Sequence, residues 1–196
     1  MINVAVVYHS GYGHTAKQAK AVAEGAEGVG GTNVTLVAVD DIESHWQTLD
    51  KADAIVFGAP TYMGSLSGPF KTFMDASSKA WFTRSWKDKI AAGFTNSASQ
   101  SGDKLNSLIQ LTIFAAQHGM IWVGLDLLPG NNNSNGGPND LNRLGSFLGA
   151  MAQSNADQGP EVAPPAADLT TAAHLGARVA RTALAFAAAL TPVPAE

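Results

Sequence analysis

The chain has no cysteine, which removes disulfides, thiolate nucleophiles, Cys-type zinc sites and iron–sulfur clusters together. Charge is also scarce, since Asp, Glu, Lys and Arg make up 14% of the 196 residues, against roughly a quarter in an average domain. The 12 Lys+Arg against 16 Asp+Glu leave a formal net charge of -4, and no basic run is present to grip a phosphate backbone. A nucleic-acid role is therefore disfavoured. Long hydrophobic runs are missing as well: no predominantly apolar stretch reaches the ~18 residues that argue for a membrane span. Met1 leads straight into Ile2-Asn-Val-Ala-Val-Val7 with neither a cationic n-region nor a small-residue cleavage site. The expectation is a cytoplasmic protein in which any redox chemistry comes from a borrowed cofactor.

What is present reads as alternating strands and helices. Ile2 to Tyr8 is a β-branched apolar run of the kind buried on both faces of a parallel sheet. It stops at Gly11 and Gly13, and an Ala-rich helix from His14 to Glu27 follows, ending at Gly28. Further strands are expected at Asn33 to Val39, Ala54 to Ala59, Ile90 to Thr95 and Ile121 to Leu125. Between them a short crossover occupies Asp41 to Asp53, a helix starts at Pro69, and another spans Gly102 to His118. Residues 129 to 165 are rich in Asn, Gly and Pro and read as loop, a length of loop that is usually functional or disordered. Leu169, Ala172, Gly176, Val179, Ala183, Phe186 and Leu190 recur at helical spacing in a closing amphipathic helix. Five strands alternating with helices predict an α/β doubly wound parallel sheet of order 2-1-3-4-5. It forms a single domain over 1–190, followed by a short C-terminal tail at 191–196.

In such folds ligands sit outside the carboxyl ends of the strands, near the switch point, which directs attention to three loops. The first, His9-Ser10-Gly11-Tyr12-Gly13-His14-Thr15, offers free N–H groups at a helix start, two glycines for close approach, and two hydroxyls. That chemistry suits a phosphate monoester. The same residues also serve as a Gly-containing turn with Ser10 or Thr15 as helix cap. Gly11 to Ala16 further satisfies the degenerate dinucleotide fingerprint, with Asp40 as a ribose partner. The second loop, Gly58 to Pro69, sets the Tyr62 ring and the backbone amides of Thr61 to Met63 at a strand end, where a planar heterocycle can stack, or else is a Pro/Gly turn leading into a helix capped by Ser67. The third, Asn96-Ser97-Ala98-Ser99-Gln100-Ser101, supplies small hydrogen-bonding groups for a polar ring edge, or else a flexible linker. No metal-ligand spacing is present.

Taken in order, Tyr8-His-Ser10-Gly-Tyr12-Gly13-His14-Thr15, then Gly58-Ala-Pro60-Thr61 with Gly64 to Gly68 and Asp75, then Gln117-His118-Gly119-Met120, resemble the flavodoxin-like flavoproteins. The resemblance is strongest to the WrbA-like NAD(P)H:quinone oxidoreductases. It implies a flavodoxin-like fold and a noncovalent FMN. Ser10, Gly11, Tyr12, Gly13, His14 and Thr15 would surround the phosphate, with Pro60, Thr61, Tyr62 and Met63 beside the ring. Asn96, Ser97, Ala98, Ser99, Gln100 and Ser101 would follow the ring and ribityl edge. It also implies that His118 lies close to the flavin, in its own or a neighbouring subunit's site, as a proton donor. Tyr12 and Trp81 would meet nicotinamide or quinone, while nearby Trp86 reads as a half-buried surface aromatic.

The activity implied is two-electron reduction of quinones by NAD(P)H in a ping-pong cycle, carried out by a homodimer or homotetramer. A flavodoxin-type electron carrier and a general NAD(P)H-dependent flavin reductase are the alternatives. A carrier would be expected to have a strongly acidic docking surface, which a charge of -4 does not provide.

Overall fold

A computed structural model describes residues 1–190, and the short tail expected at 191–196 lies outside the described residues. The elements run β1 (Ile2–Tyr8), α1 (His14–Glu27), β2 (Thr32–Ala38), a 3-10 segment (Val39–Ser44), α2 (Trp46–Lys51) and β3 (Ala54–Tyr62). They continue with β4 (Ser65–Leu66), α3 (Gly68–Ala76), α4 (Ser78–Thr83), β5 (Ile90–Ser97), α5 (Lys104–Gln117), β6 (Ile121–Trp122), β7 (Ala150–Gln153) and α6 (Ala166–Leu190).

The sheet order is β2-β1-β3-β5, all parallel, and the fifth position is shared. This confirms the doubly wound α/β architecture and corrects its last strand. A single strand over 121–125 was expected. Instead β6 pairs only with the start of β5, Ile90↔Ile121 and Ala91↔Trp122. The end of β5 is paired by β7, from Phe94↔Ala150 to Ser97↔Gln153. The chain leaves the sheet after Trp122 and returns 28 residues later, within the stretch read as loop. The crossover after β2 likewise holds a 3-10 segment and a short helix in place of one helix.

Period-two alternation sorts the strand side chains into two cores. Ala5, Val7, Ile55 and Phe57 face one layer, where Phe70, Phe73, Trp86, Leu111 and Phe114 pack. Val4, Val6, Ala54 and Val56 face the other, covered by α1 and α6 through Ala19, Val22, Leu175, Val179 and Ala183. The alanine-rich composition thus serves close helix packing on one face, and most of the buried aromatic residues fill the other. Strand ends β1, β3, β5 and β7 all open on the same rim of the sheet.

Candidate functional site

On that rim lies a cleft of about 1090 Å³, the size of a cofactor pocket. Its walls bring together Ser10, Tyr12, His14 and Thr15 from the first loop, Pro60, Thr61, Tyr62 and Met63 from the second, and Asn96, Ser97, Ala98 and Ser99 from the third. The three loops chosen from the sequence are therefore one site. It opens on the β3 and β5 side of β1, whereas Asp40 follows β2 on the opposite side and is exposed. That placement takes the ribose partner away from the dinucleotide reading of the first loop.

The first loop is shaped for an anion. Gly13 adopts φ 87°, a left-handed conformation that turns the chain from β1 into α1. A Cβ there would also lie 2.8 Å from Pro160 Cγ. At Gly11 a Cβ would meet the Tyr62 hydroxyl at 2.6 Å, so the Tyr62 ring lies across the loop in space that only glycine leaves. Ser10 Oγ is buried and has no hydrogen-bond partner among the described residues. A buried hydroxyl left unpaired costs free energy, a cost that a ligand oxygen arriving at the start of α1 would offset. Thr15 is buried in the cleft wall, and His14 Nε2 is 2.8 Å from the Gln158 carbonyl. No Lys or Arg lines the cleft among the described residues, so an anion here relies on N–H groups, hydroxyls and the helix dipole.

The second loop is a tight hairpin. Thr61↔Leu66 and Tyr62↔Ser65 pair antiparallel around Met63 (φ 49°) and Gly64 (φ 75°), the two positive φ angles that a two-residue turn of this hand requires. It lifts Met63 fully into solvent at the cleft mouth, where Tyr12 and Tyr62 meet edge to face at 6.3 Å. Burial, and then the neighbouring Tyr12, push the Tyr62 phenol above its ordinary pKa, partly offset by the Gly11 backbone. The Thr61 hydroxyl is 2.8 Å from Thr95 Oγ1 and 2.7 Å from Ser107 Oγ. It ties β3 to β5 and α5 and is not free for a ligand.

The third loop is held from behind. The Lys104 ammonium, fully buried at the first position of α5, donates to Ser97 Oγ (2.8 Å), the Ser99 carbonyl (2.8 Å) and the Gln100 carbonyl (2.9 Å). Burial lowers its pKa to about 8, opposed by Asp168 and assisted by Arg143. Gln153 Nε2 donates to the Ala98 carbonyl at 3.0 Å. Asp168 takes a two-pronged ion pair from Arg143 at 2.7 and 2.8 Å and accepts from the Gln153 N–H.

Four expected residues stand elsewhere. Gln100 and Ser101 face a second hollow behind the loop, beside Arg143. Trp81 is exposed on α4 and does not line the cleft. His118, expected beside a flavin, is buried at the end of α5. It stacks on Trp86 with ring centroids 4.4 Å apart and lies 2.9 Å from Ser77 Oγ through Nε2. A side chain enclosed in this way does not line the cleft. Its pKa is lowered to about 4 by burial and, less, by Arg84, so it is neutral at pH 7. Trp86, read as a half-buried surface aromatic, is fully buried in the aromatic core, with its indole N–H on Asp50.

The sequence reading missed one wall altogether. Residues 154–159, following β7, line the cleft between the third loop and the first, and Ser154 donates to Asn96 Oδ1 (3.0 Å) and to the Ser97 carbonyl (3.0 Å). The one available signal was the length of the loop that contains them.

Known proteins with this arrangement are numerous. A structure described as the flavodoxin, WrbA-like protein from Agrobacterium tumefaciens is 45% identical, with a TM-score of 0.73 over 95% of this chain and 99% of that one. Flavodoxin FldP of Pseudomonas aeruginosa is 48% identical over 185 residues, 92% of this chain and 96% of its own. An NAD(P)H dehydrogenase (quinone) of Archaeoglobus fulgidus is 32% identical over 206 residues, 93% of this chain and 98% of its own. The family model for NADPH-dependent FMN reductase matches residues 9–129, a span that contains all three loops, and the chain belongs to that family.

Proposed function

We propose that the chain is an FMN-dependent oxidoreductase that takes electrons from NAD(P)H and passes them to a quinone. The observation that carries the reading is the first loop, where a buried, unpartnered Ser10 hydroxyl and two glycines surround a helix start at the strand switch point. These groups fit the terminal phosphate of FMN, and the cleft volume accommodates the rest of the molecule.

Bound FMN would supply the redox chemistry, accepting hydride from a nicotinamide and returning two electrons to an acceptor. The protein's part is binding and shape. Ser10 and Thr15 hydroxyls with the α1 N-terminus hold the phosphate. Pro60 to Met63 set apolar and aromatic surface along the ring, while Asn96 to Ser99 meet its polar edge. Tyr12, exposed at the mouth beside Tyr62, offers a stacking surface to an incoming nicotinamide or quinone. With His118 neutral and enclosed, no side-chain acid of the described cleft is assigned to the reaction, and solvent at the open mouth supplies the proton. A cytoplasmic place and a homo-oligomeric state accompany this reading.

The electron-carrier reading has in its favour the name flavodoxin, borne by the 48% identical relative and by the 45% identical structure. The sparse charge, -4 over the whole chain, favours the enzyme, because a carrier docks its partners through a strongly charged surface. The deciding experiment mixes the FMN-loaded protein with NADH or NADPH and benzoquinone. Catalytic nicotinamide oxidation that requires the quinone supports the enzyme. FMN retention with no reaction toward either nicotinamide overturns it in favour of the carrier.

A further inference from the structure

Lys104 stands where electrostatics disfavour it. It occupies the first position of α5, where the helix dipole repels a cation, and it is fully buried, which penalises charge further. Three hydrogen bonds compensate, to Ser97 Oγ and to the carbonyls of Ser99 and Gln100, and they use all three ammonium protons. With Gln153 holding the Ala98 carbonyl, three successive carbonyls of the third loop are drawn to the protein side. In a trans peptide the N–H of the next residue points opposite to the carbonyl. The N–H of Ser99 is thereby directed away from Gln153, which does not line the cleft, whereas Ala98 and Ser99 do, and Gln100 and Ser101 border the hollow on the side of Lys104.

We infer that Lys104 is a positioning residue, clamping the third loop through the Ser99 and Gln100 carbonyls so that the Ala98–Ser99 stretch, with the Ser99 N–H, is presented to the acceptor-rich edge of the FMN ring. This rests on the FMN reading of the cleft. The charged groups facing Lys104 are Asp168 from α6, which favours its ammonium form, and Arg143 from the segment between β6 and β7, which opposes it. Loss of one proton leaves two donors for three acceptors, so the clamp weakens as the amine forms.

The test is FMN affinity, read by quenching of FMN fluorescence between pH 7 and pH 9, for the wild type, Lys104→Met and Lys104→Arg. For the wild type the dissociation constant rises roughly five- to tenfold across that range, the value of about one hydrogen bond. Lys104→Met, with no donor, binds at least about tenfold more weakly at pH 7 and shows no such slope. Lys104→Arg keeps a charge that does not titrate here, so its affinity is also flat with pH. A Lys104→Met protein that binds FMN as the wild type does, or that keeps the wild-type slope, overturns the assignment. Should that variant fail to fold, the wild-type profile decides alone, and a dissociation constant constant from pH 7 to pH 9 overturns it. A wild type that binds no FMN at any pH overturns the reading of the cleft, and this inference with it.

Discussion

The first and third loops face the same cleft and are built on opposite principles. The first is held by local backbone geometry: a left-handed Gly13, a Gly11 with no side chain to exclude Tyr62, and a helix that begins at His14. Its Ser10 Oγ is buried in the cleft wall with no hydrogen-bond partner among the described residues. The third is held from a distance by a buried network in which Lys104, Gln153, Arg143 and Asp168 come from α5, β7, the long insertion and α6. The turn of the first loop is set by its own glycines. The third loop has its shape only when four separate segments are in place.

The largest effect that would break this contrast comes from Asp168→Asn. It leaves Arg143 buried without its counter-ion and is expected to cost about 3–5 kcal/mol of stability in urea denaturation, and to loosen the third loop while the first keeps its shape. Next is His118, which should affect the core and neither loop. Its folded pKa of about 4 lies below the ordinary 6.5, so between those values the unfolded chain takes up a proton that the folded chain refuses. Stability is therefore full above pH 6.5 and falls by on the order of 1–3 kcal/mol as pH drops toward 4. His118→Gln removes that part of the acid sensitivity, seen by denaturation at pH 7 and pH 4.5, and leaves FMN affinity at pH 7 unchanged.

Gly13→Ala probes the first loop's geometry. The left-handed backbone costs a side chain about 1–2 kcal/mol, and the Cβ presses on Pro160 Cγ, so FMN affinity should drop at least about tenfold in a fluorescence titration. Ser10→Ala is the smallest change and the sharpest. Removing an unpartnered buried hydroxyl should raise the thermal stability of the FMN-free protein by about 1 kcal/mol while weakening FMN by a similar amount. A substitution that destabilised the FMN-free protein would show that Ser10 has a structural partner instead.

The same contrast explains what the sequence disclosed. The three loops, the strand-helix alternation and α1 from His14 to Glu27 follow from local signals, namely β-branched runs, glycine stops and alanine-rich periodicity, and the structure reproduces them. Hidden was everything that depends on distant partners. β7 is four residues of Ala-Met-Ala-Gln with no strand propensity of note, and it pairs only because β5 offers a free edge beyond Phe94. Residues 154–159 reach the cleft because β7 carries them there. Lys104 reads as an ordinary helix lysine, and nothing near it in sequence announces Asp168. His118 erred in the other direction: a motif match placed it at the flavin, but Trp86, Phe114 and Ser77 enclose it.

The central claim is that the Ser10 to Thr15 loop seats the phosphate of FMN, and calorimetric titration with FMN and with riboflavin, which differ only by that phosphate, tests it most directly. FMN is expected to bind at least about a hundredfold more tightly than riboflavin, the contribution of charge-assisted hydrogen bonds at a helix start. Equal affinity for the two, or no binding of FMN, would contradict it.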